Sequence, residues 1–270
     1  MLNKKTDSSN INGLSRDHEK LLVQKSLPLF SLWQSELTLP ELKILDIYLA
    51  RINSHEPEKR VVKFTKGEME KILGVKRIRP KVLDQRLANL MTSIKVEESE
   101  DNRYFTRITL FEKANARQDE EGYWTVELRC TESAMQMIFN IENIGYLRYY
   151  LKNIIPLKSR YSYIMYLYLQ HSTGKYRGKQ WEVSLLDLKK ILHCENDETY
   201  KEYKRFNDLV LKKVQAELLE KTDIHYEYEP VKNGRHVIAI KFTVKKGEGK
   251  FIPPMDKTDL SLDFMNGNSF

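Results

Sequence analysis

The feature that most restricts the fold of this chain is an internal repeat. VVKFTKGEMEKILG (61–74) and WEVSLLDLKKILHC (181–194) share one pattern at a constant offset, in which a short alternating strand precedes an apolar helix. The strand ends at a hydroxyl residue, and an acidic residue three positions on completes a helix capping box. The matching residues are Thr65 with Ser184 and Glu68 with Asp187. A repeat of this length predicts two copies of one structural unit.

The sequences that flank the two copies repeat as well. An apolar helix is predicted before each copy, and a basic amphipathic helix followed by two strands is predicted after it. The predicted helices are 38–52 and 159–172 before the copies, and 80–93 and 199–222 after them. The predicted strands are 94–99, 103–114, 224–231 and 235–246. This order is typical of a winged helix, so the predicted fold class is α+β with two tandem winged-helix domains.

The repeat divides the chain into four predicted segments. Residues 25–156 form the first winged-helix domain, and residues 157–246 form the second. Segments 1–24 and 247–270 are polar or contain Gly and Pro without clear periodicity. Such composition favours flexible tails at both ends.

The charge of the chain favours a polyanionic partner. The formal net charge is +7 and the isoelectric point is about 9.1, and most of the basic excess lies within residues 157–246. This excess fits nucleic acid, although a lysine-rich solvated surface has the same composition. The sequence has two cysteines, no secretory leader pattern and no apolar run that would span a bilayer. A cytoplasmic protein without membrane association is expected.

The segment LGVKRIRPKVLDQRLANL (73–90) carries the first candidate DNA-binding site. In a helix-turn-helix, the second helix enters the major groove and its outer face contacts base edges. The predicted buried face consists of Val82, Leu83, Leu87, Leu90 and Ile94. The opposite face carries amino and amide groups that pair with base edges, on Lys81, Gln85 and Asn89. The cations before the helix suit phosphate contacts, and they are Lys76, Arg77 and Arg79.

Residues 199–222 occupy the same position in the second copy. The predicted core face consists of Tyr203, Phe206, Val210 and Val214. The opposite face favours DNA contact over a merely solvated surface, and it holds Lys201, Lys204, Arg205, Lys212, Asp208 and Gln215. Asp208 is expected either to orient a neighbouring cation or to accept a hydrogen bond from cytosine. Lys232 and Arg235, at the hairpin turn, are candidates for contact with the DNA backbone or minor groove, or are solvated.

The sequence lacks the motifs of several enzyme classes. The six histidines include no pair one residue apart, which a rolling-circle nuclease needs for its metal beside a tyrosine nucleophile. GKYRGK (174–179) lacks the spacing and the Ser or Thr of a phosphate-binding loop. His193 and Cys194 have no further close Cys or His for a zinc site. A protein without enzymatic activity, cofactor or metal is predicted.

Four stretches resemble the replication initiator (Rep) proteins of iteron-containing, theta-replicating plasmids: LPLFSLWQSELTLPELKIL, KNIIPLKSRYSYIMYLYLQ, YKRFNDLVLKKVQAELLEKTDI and NGRHVIAIKFTV. The resemblance covers residues 25–246 and implies two tandem winged helices acting in a bacterial cytoplasm. It implies that monomers bind directly repeated iterons in two successive major grooves. Dimers, formed largely through the first domain, would bind an inverted-repeat operator and repress the initiator's own gene. The first domain would thus serve DNA binding and dimerisation, and the second would be the main DNA-binding domain. Asn207 and Asp208 depart from the Lys or Arg often found at these positions.

The resemblance also implies partners for an origin-bound initiator. Bound monomers would help to open an adjacent A·T-rich region, and would recruit the host replicative helicase and the host replication initiator. Two alternatives share the fold. A tandem winged-helix transcriptional regulator would bind an isolated inverted repeat rather than direct repeats. A winged-helix protein–protein adaptor would lack the steep salt dependence that phosphate contacts cause.

Overall fold

The structure is a computed structural model that describes residues 21–26, 29, 37–52, 59–98, 103–139, 146–175 and 180–246. The predicted tail 247–270 and the first twenty residues of the predicted N-terminal tail lie outside these ranges. Within the described ranges, no helix is both long enough and apolar enough to cross a membrane.

The first half of the chain contains four helices and seven strands within the described residues. The helices are α1 (Leu39–Arg51), α2 (Glu68–Leu73), α3 (Pro80–Leu90) and α4 (Glu132–Phe139). The strands are β1 (Leu22–Ser26), β2 (Val61–Phe64), β3 (Ser93–Glu98), β4 (Phe105–Thr109), β5 (Phe111–Gln118), β6 (Trp124–Cys130) and β7 (Tyr146–Tyr150). They form three antiparallel sheets, with strand orders β2-β6-β5, β3-β4 and β1-β7.

The second half begins with a long apolar helix and ends in a β-hairpin. Its helices are α5 (Arg160–Lys175), α6 (Leu185–Ile191), α7 (Tyr203–Phe206) and α8 (Lys212–Lys221), with a π-helical turn (Asn207–Leu211) between the last two. Its strands are β8 (Gln180–Ser184), β9 (Ile224–Asn233) and β10 (His236–Lys246), which form an antiparallel sheet of order β8-β10-β9. The order strand, helix, helix, hairpin therefore occurs twice, as the repeat predicts.

The two copies start their first helix in different ways. At α6 the predicted cap is present, because the Ser184 hydroxyl accepts a hydrogen bond from the Asp187 amide at 3.0 Å. At α2 the predicted cap residue Thr65 is wrong, since the helix starts after Gly67, which lies at φ +73°. The Glu68 carboxylate still reaches back to the Thr65 amide at 2.8 Å. The left-handed conformation, which glycine adopts readily, thus starts the helix in place of the predicted Thr65 cap, while the Glu68 half of the capping box remains.

The predicted strand 103–114 is two strands in different sheets. β4 pairs with β3, whereas β5 pairs with β6, and the chain changes partner at the buried Leu110. The apolar pattern runs on through this change because both strands contribute to one core. Periodicity alone does not show where a strand exchanges its neighbour.

The predicted boundary of the N-terminal tail at residue 24 is wrong. Residues 22–24 belong to β1, which pairs with β7. β1 also carries Lys25, which is fully enclosed and donates hydrogen bonds to Asp46 Oδ1 at 3.0 Å and to the Tyr163 hydroxyl at 2.8 Å. The Tyr163 hydroxyl in turn donates to Asp46 Oδ2 at 2.8 Å. This network joins β1, α1 and α5 through three buried polar side chains.

The segment between β7 and α5 is held from both halves of the chain. Lys43 of α1 donates from Nζ to the carbonyl oxygens of Ile155 and Leu157, both at 2.6 Å. Burial lowers the pKa of Lys43 to about 8. From the other side, the Lys158 amide donates to Glu217 Oε1 of α8 at 2.7 Å. These contacts connect α1 of the first domain to α8 of the second through the segment between β7 and α5.

Candidate nucleic-acid interface

The second helix-turn-helix consists of α6 and the continuous helical segment 203–221, which we call the second recognition helix. Its buried residues recur every four positions, at Phe206, Val210, Val214 and Leu218. In an α-helix this spacing drifts around the axis by about 40° per step. The π turn Asn207–Leu211 has more residues per turn and returns the stripe towards the core. The apolar face therefore stays buried along the whole segment.

Packing against the hairpin decides which side chains of this helix face outward. Leu211 is buried beside Val210, on the same side of the helix as Leu218 seven residues later. Gln215, predicted on the outer face, instead donates from Nε2 to the Tyr226 carbonyl at 2.8 Å. Asn207 accepts a hydrogen bond on Oδ1 from the Tyr228 hydroxyl at 2.6 Å, which links the turn to β9. The helix and the hairpin are thus joined at two points.

The predicted cations of this helix fall into two groups. Lys204, Arg205 and Lys212 are exposed on the recognition helix. Lys201 lies before it, in the bend that follows a short 3-10 helix, and its Nζ is 3.6 Å from Glu198. The predicted helical range 199–222 is therefore too long at its start. Lys189 of α6 fixes the bend, because its Nζ donates to the Tyr200 carbonyl at 2.6 Å.

Asp208 and Lys212 form an ion pair on the outer surface of the recognition helix. Lys212 Nζ is 2.7 Å from Asp208 Oδ1, and the two side chains are 62% and 42% exposed, the lysine first. The hydrogen bond from Lys212 lowers the pKa of Asp208, and the charge of Lys204 lowers it further. Asp208 therefore orients a neighbouring cation, which is one of its two predicted roles.

The hairpin β9-β10 forms the wing of the second unit. Lys232 and Arg235 flank its turn and are both exposed. Gly234 lies at φ +59°, with open space where a Cβ would stand, so a substitution there meets backbone strain rather than a clash. The predicted wing cations are thus placed at the tip, away from the core.

In the first unit the recognition helix is α3. Lys81 and Gln85 are exposed there, as predicted. Val82 is 42% exposed, so its predicted place on the buried face is wrong. The helix ends at Leu90 rather than at residue 93. Strand β3 begins at Ser93, so Ile94 belongs to this strand and not to the helix.

Asn89, predicted to face outward, is half-buried and bound within the protein. Its Nδ2 donates to Glu41 Oε1 of α1 at 3.0 Å, and its Oδ1 accepts from Gln85 Nε2 at 2.8 Å. Arg86 also lies 3.8 Å from Glu41. The amide of Asn89 therefore holds α3 against α1, and the pattern of the helix alone does not reveal this partner.

Replacing Asn89 with alanine is expected to lower the free energy of unfolding by about 1–3 kcal/mol, because Glu41, only 1% exposed, loses a donor. Urea denaturation measures the change. Lys81→Ala, on the same helix, is the control and should change stability by less than about 0.5 kcal/mol, since its side chain is exposed. Equal effects of the two substitutions would contradict the structural role of Asn89.

The approach to α3 is partly organised by an aromatic ring. The Arg77 guanidinium lies 3.6 Å from the centroid of the Tyr123 ring, and its Nε donates to the Glu121 carbonyl at 2.9 Å. Lys76 and Arg79 are exposed beside it. Lys66 also lies over the Tyr123 ring at 5.4 Å. An open groove of about 500 Å³ is lined here by several of these side chains.

Sequence reasoning missed Lys66, Lys71 and Tyr123 as neighbours of Lys76 and Arg77 in this groove. The hairpin β5-β6 brings Tyr123 to the turn between α2 and α3. No local pattern relates residues so far apart in the chain. Among the residues that the structure describes, no three His, Cys, Asp or Glu side chains cluster to hold a metal ion.

One solved structure to which the chain is similar is the crystal structure of Pi initiator protein in complex with iteron DNA. The two proteins share 22% sequence identity with a TM-score of 0.67, and the match covers 86% of this chain and 99% of that chain. At this identity the likeness establishes the fold. A comparison with curated protein sequences gives no significant match.

Two family models match consecutive parts of the chain. The model described as "Initiator Replication protein, WH1" matches residues 22–170, and the model described as "Initiator Rep protein, WH2" matches residues 184–244. The first match extends past the predicted domain limit at residue 156 into α5. The family model thus includes most of α5 in the first domain, whereas the predicted boundary assigns it to the second. The predicted α+β fold with two winged-helix domains is confirmed. The chain therefore belongs to the initiator replication (Rep) protein family, with both of its winged-helix domains.

Proposed function

We propose that this protein initiates plasmid replication by binding directly repeated sites in double-stranded origin DNA. A monomer places α3 and the second recognition helix in successive major grooves of one duplex. The second contact is then intramolecular and acts at high effective concentration, which makes the combined binding tight. The wing cations Lys232 and Arg235 contact the backbone or the minor groove beside it.

The observation that carries this proposal is the occurrence of two helix-turn-helix units in one chain, each with exposed cations at its second helix. Membership of the Rep family supports replication as the purpose of this binding. The solved structure of the similar Pi initiator protein holds iteron DNA. Both units being basic at equivalent positions favours two DNA contacts per chain over one.

The proposal extends to regulation and to partners. A dimer in equilibrium with the monomer binds an inverted repeat and represses the gene of the initiator. Origin-bound monomers recruit the host replicative helicase and the host initiator in the bacterial cytoplasm. The protein itself performs no catalysis and needs no cofactor, so a chelator or the removal of nucleotide leaves DNA binding unchanged.

Selection of bound sites from a randomised duplex library, at one fixed near-physiological salt concentration, tests the proposal. We expect a long asymmetric site with protection in two successive major grooves. Tandem copies of this site beside an A·T-rich tract in a plasmid origin would link binding to replication. A short palindrome as the sole product would contradict the proposal and would indicate a dimeric transcriptional regulator.

A further inference from the structure

The Asp208–Lys212 pair stands on a surface where a carboxylate opposes DNA binding. The outer side of the second recognition helix carries Lys204 and Arg205, and Asp208 lies beside them. A carboxylate close to phosphate groups is repelled by them. As an exposed i,i+4 ion pair it stabilises the helix by only about 0.3–0.5 kcal/mol. Helix stability therefore accounts for little of its presence at this place.

The helix backbone that carries the ion pair is held in place by packing and by a hydrogen bond. Asp208 and Lys212 lie one turn apart, across the π turn, so the backbone between them is set by the packing of Val210 and Leu211. The adjacent Asn207 is held to β9 by the Tyr228 hydroxyl at 2.6 Å. The 2.7 Å contact therefore presents an acceptor and a donor side by side on this surface. A pre-formed arrangement of this kind loses little conformational entropy on binding.

The geometry points to a specific reading role: we propose that Asp208 and Lys212 together recognise one C·G base pair in the major groove. The cytosine N4 amino group is a donor, and the guanine O6 and N7 atoms beside it are acceptors. Asp208 accepts from N4 while Lys212 donates to the guanine edge. The inference rests on the proposed function, because it assigns a base pair within the site bound by the second recognition helix.

The same arrangement explains rejection of other base pairs. If the base pair is reversed to G·C, Asp208 faces the guanine acceptors O6 and N7, and Lys212 faces the cytosine amino group. Both contacts then become repulsive. With thymine at the cytosine position, Asp208 meets the O4 acceptor and the methyl group instead of a donor. Specificity then comes from the unfavourable contacts as much as from the favourable ones.

Asp208→Asn is the decisive variant, because it removes the charge and keeps the size of the side chain. Dissociation constants are measured for the site selected by the wild-type protein, for its single-base-pair substitutions and for an unrelated duplex. We expect the preference for C·G at one position to fall by about tenfold, while affinity for the unrelated duplex stays equal or increases. Lys212→Met should lose preference at the same position and should bind every duplex more weakly.

Glu220→Gln is the matched control, since Glu220 is an exposed carboxylate further along the same helix. It should leave every base preference unchanged. Unaltered preferences in both Asp208→Asn and Lys212→Met would overturn the inference, as would effects at unrelated positions. Absence of any selected site for the wild-type protein would instead overturn the proposed function. Thermal unfolding of each variant confirms that it is folded.

Discussion

Replacing Arg205 and Lys212 together with alanine is expected to weaken specific DNA binding by about 2 kcal/mol or more, roughly a factor of 30. Each residue is exposed on the second recognition helix, and a lost base or phosphate contact costs about 1–3 kcal/mol. Fluorescence anisotropy with the selected duplex measures the dissociation constant. The plot of log affinity against log salt should also become shallower, by about 0.9 for each phosphate contact removed.

The control for this variant removes the same charge from another surface. Lys63 of β2 and Arg129 of β6 are both exposed on the three-stranded sheet of the first domain. Their double replacement with alanine should leave specific affinity nearly unchanged, apart from a small general electrostatic effect. If both double variants bound equally well at one salt concentration, residues 203–221 would not be the DNA-reading helix.

Replacing Asp46 with alanine is expected to lower the free energy of unfolding by about 3–5 kcal/mol. The substitution leaves the Lys25 ammonium enclosed in the core without its carboxylate, and it also removes the acceptor of the Tyr163 hydroxyl. A buried charge without its partner costs more than the pair contributes. Urea denaturation followed by circular dichroism measures the change.

The double variant Lys25→Met with Asp46→Leu separates the charge effect from the loss of packing. Since it removes both charges and keeps apolar volume, it should recover most of the stability that Asp46→Ala loses. A wild-type-like stability for Asp46→Ala would show that Lys25 escapes to solvent. That result would contradict the docking of β1 against α1 and α5.

The architecture was largely predictable because short-range patterns repeat in the sequence. The matched segments around Glu68 and Asp187 predicted two units, and the helices around them end within a few residues of their predicted ranges. Periodicity also predicted the apolar helix α5 and the exposed positions of Lys204 and Arg205. These features depend on contacts within a few turns of helix or one hairpin, which local sequence encodes directly.

Other features depended on partners distant in the chain. By its spacing Asn89 is predicted to face outward and contact a base, but its amide group donates a hydrogen bond to Glu41 of another helix. Residues 22–24 resemble the end of a polar tail, but they pair with β7, and Asp46 holds the adjacent Lys25 in the core. Burial and hydrogen bonding of this kind are settled only when elements pack together.

Local sequence patterns establish the two winged-helix units, their order and the basic character of their second helices, because periodicity, capping and turn residues act over short distances. Tertiary structure alone decided which side chains on those helices remain available. The second recognition helix shows why. Gln215 is predicted on its outer face but bonds to β9 when the helix packs against the hairpin, whereas Asp208 and Lys212 meet on the outer surface.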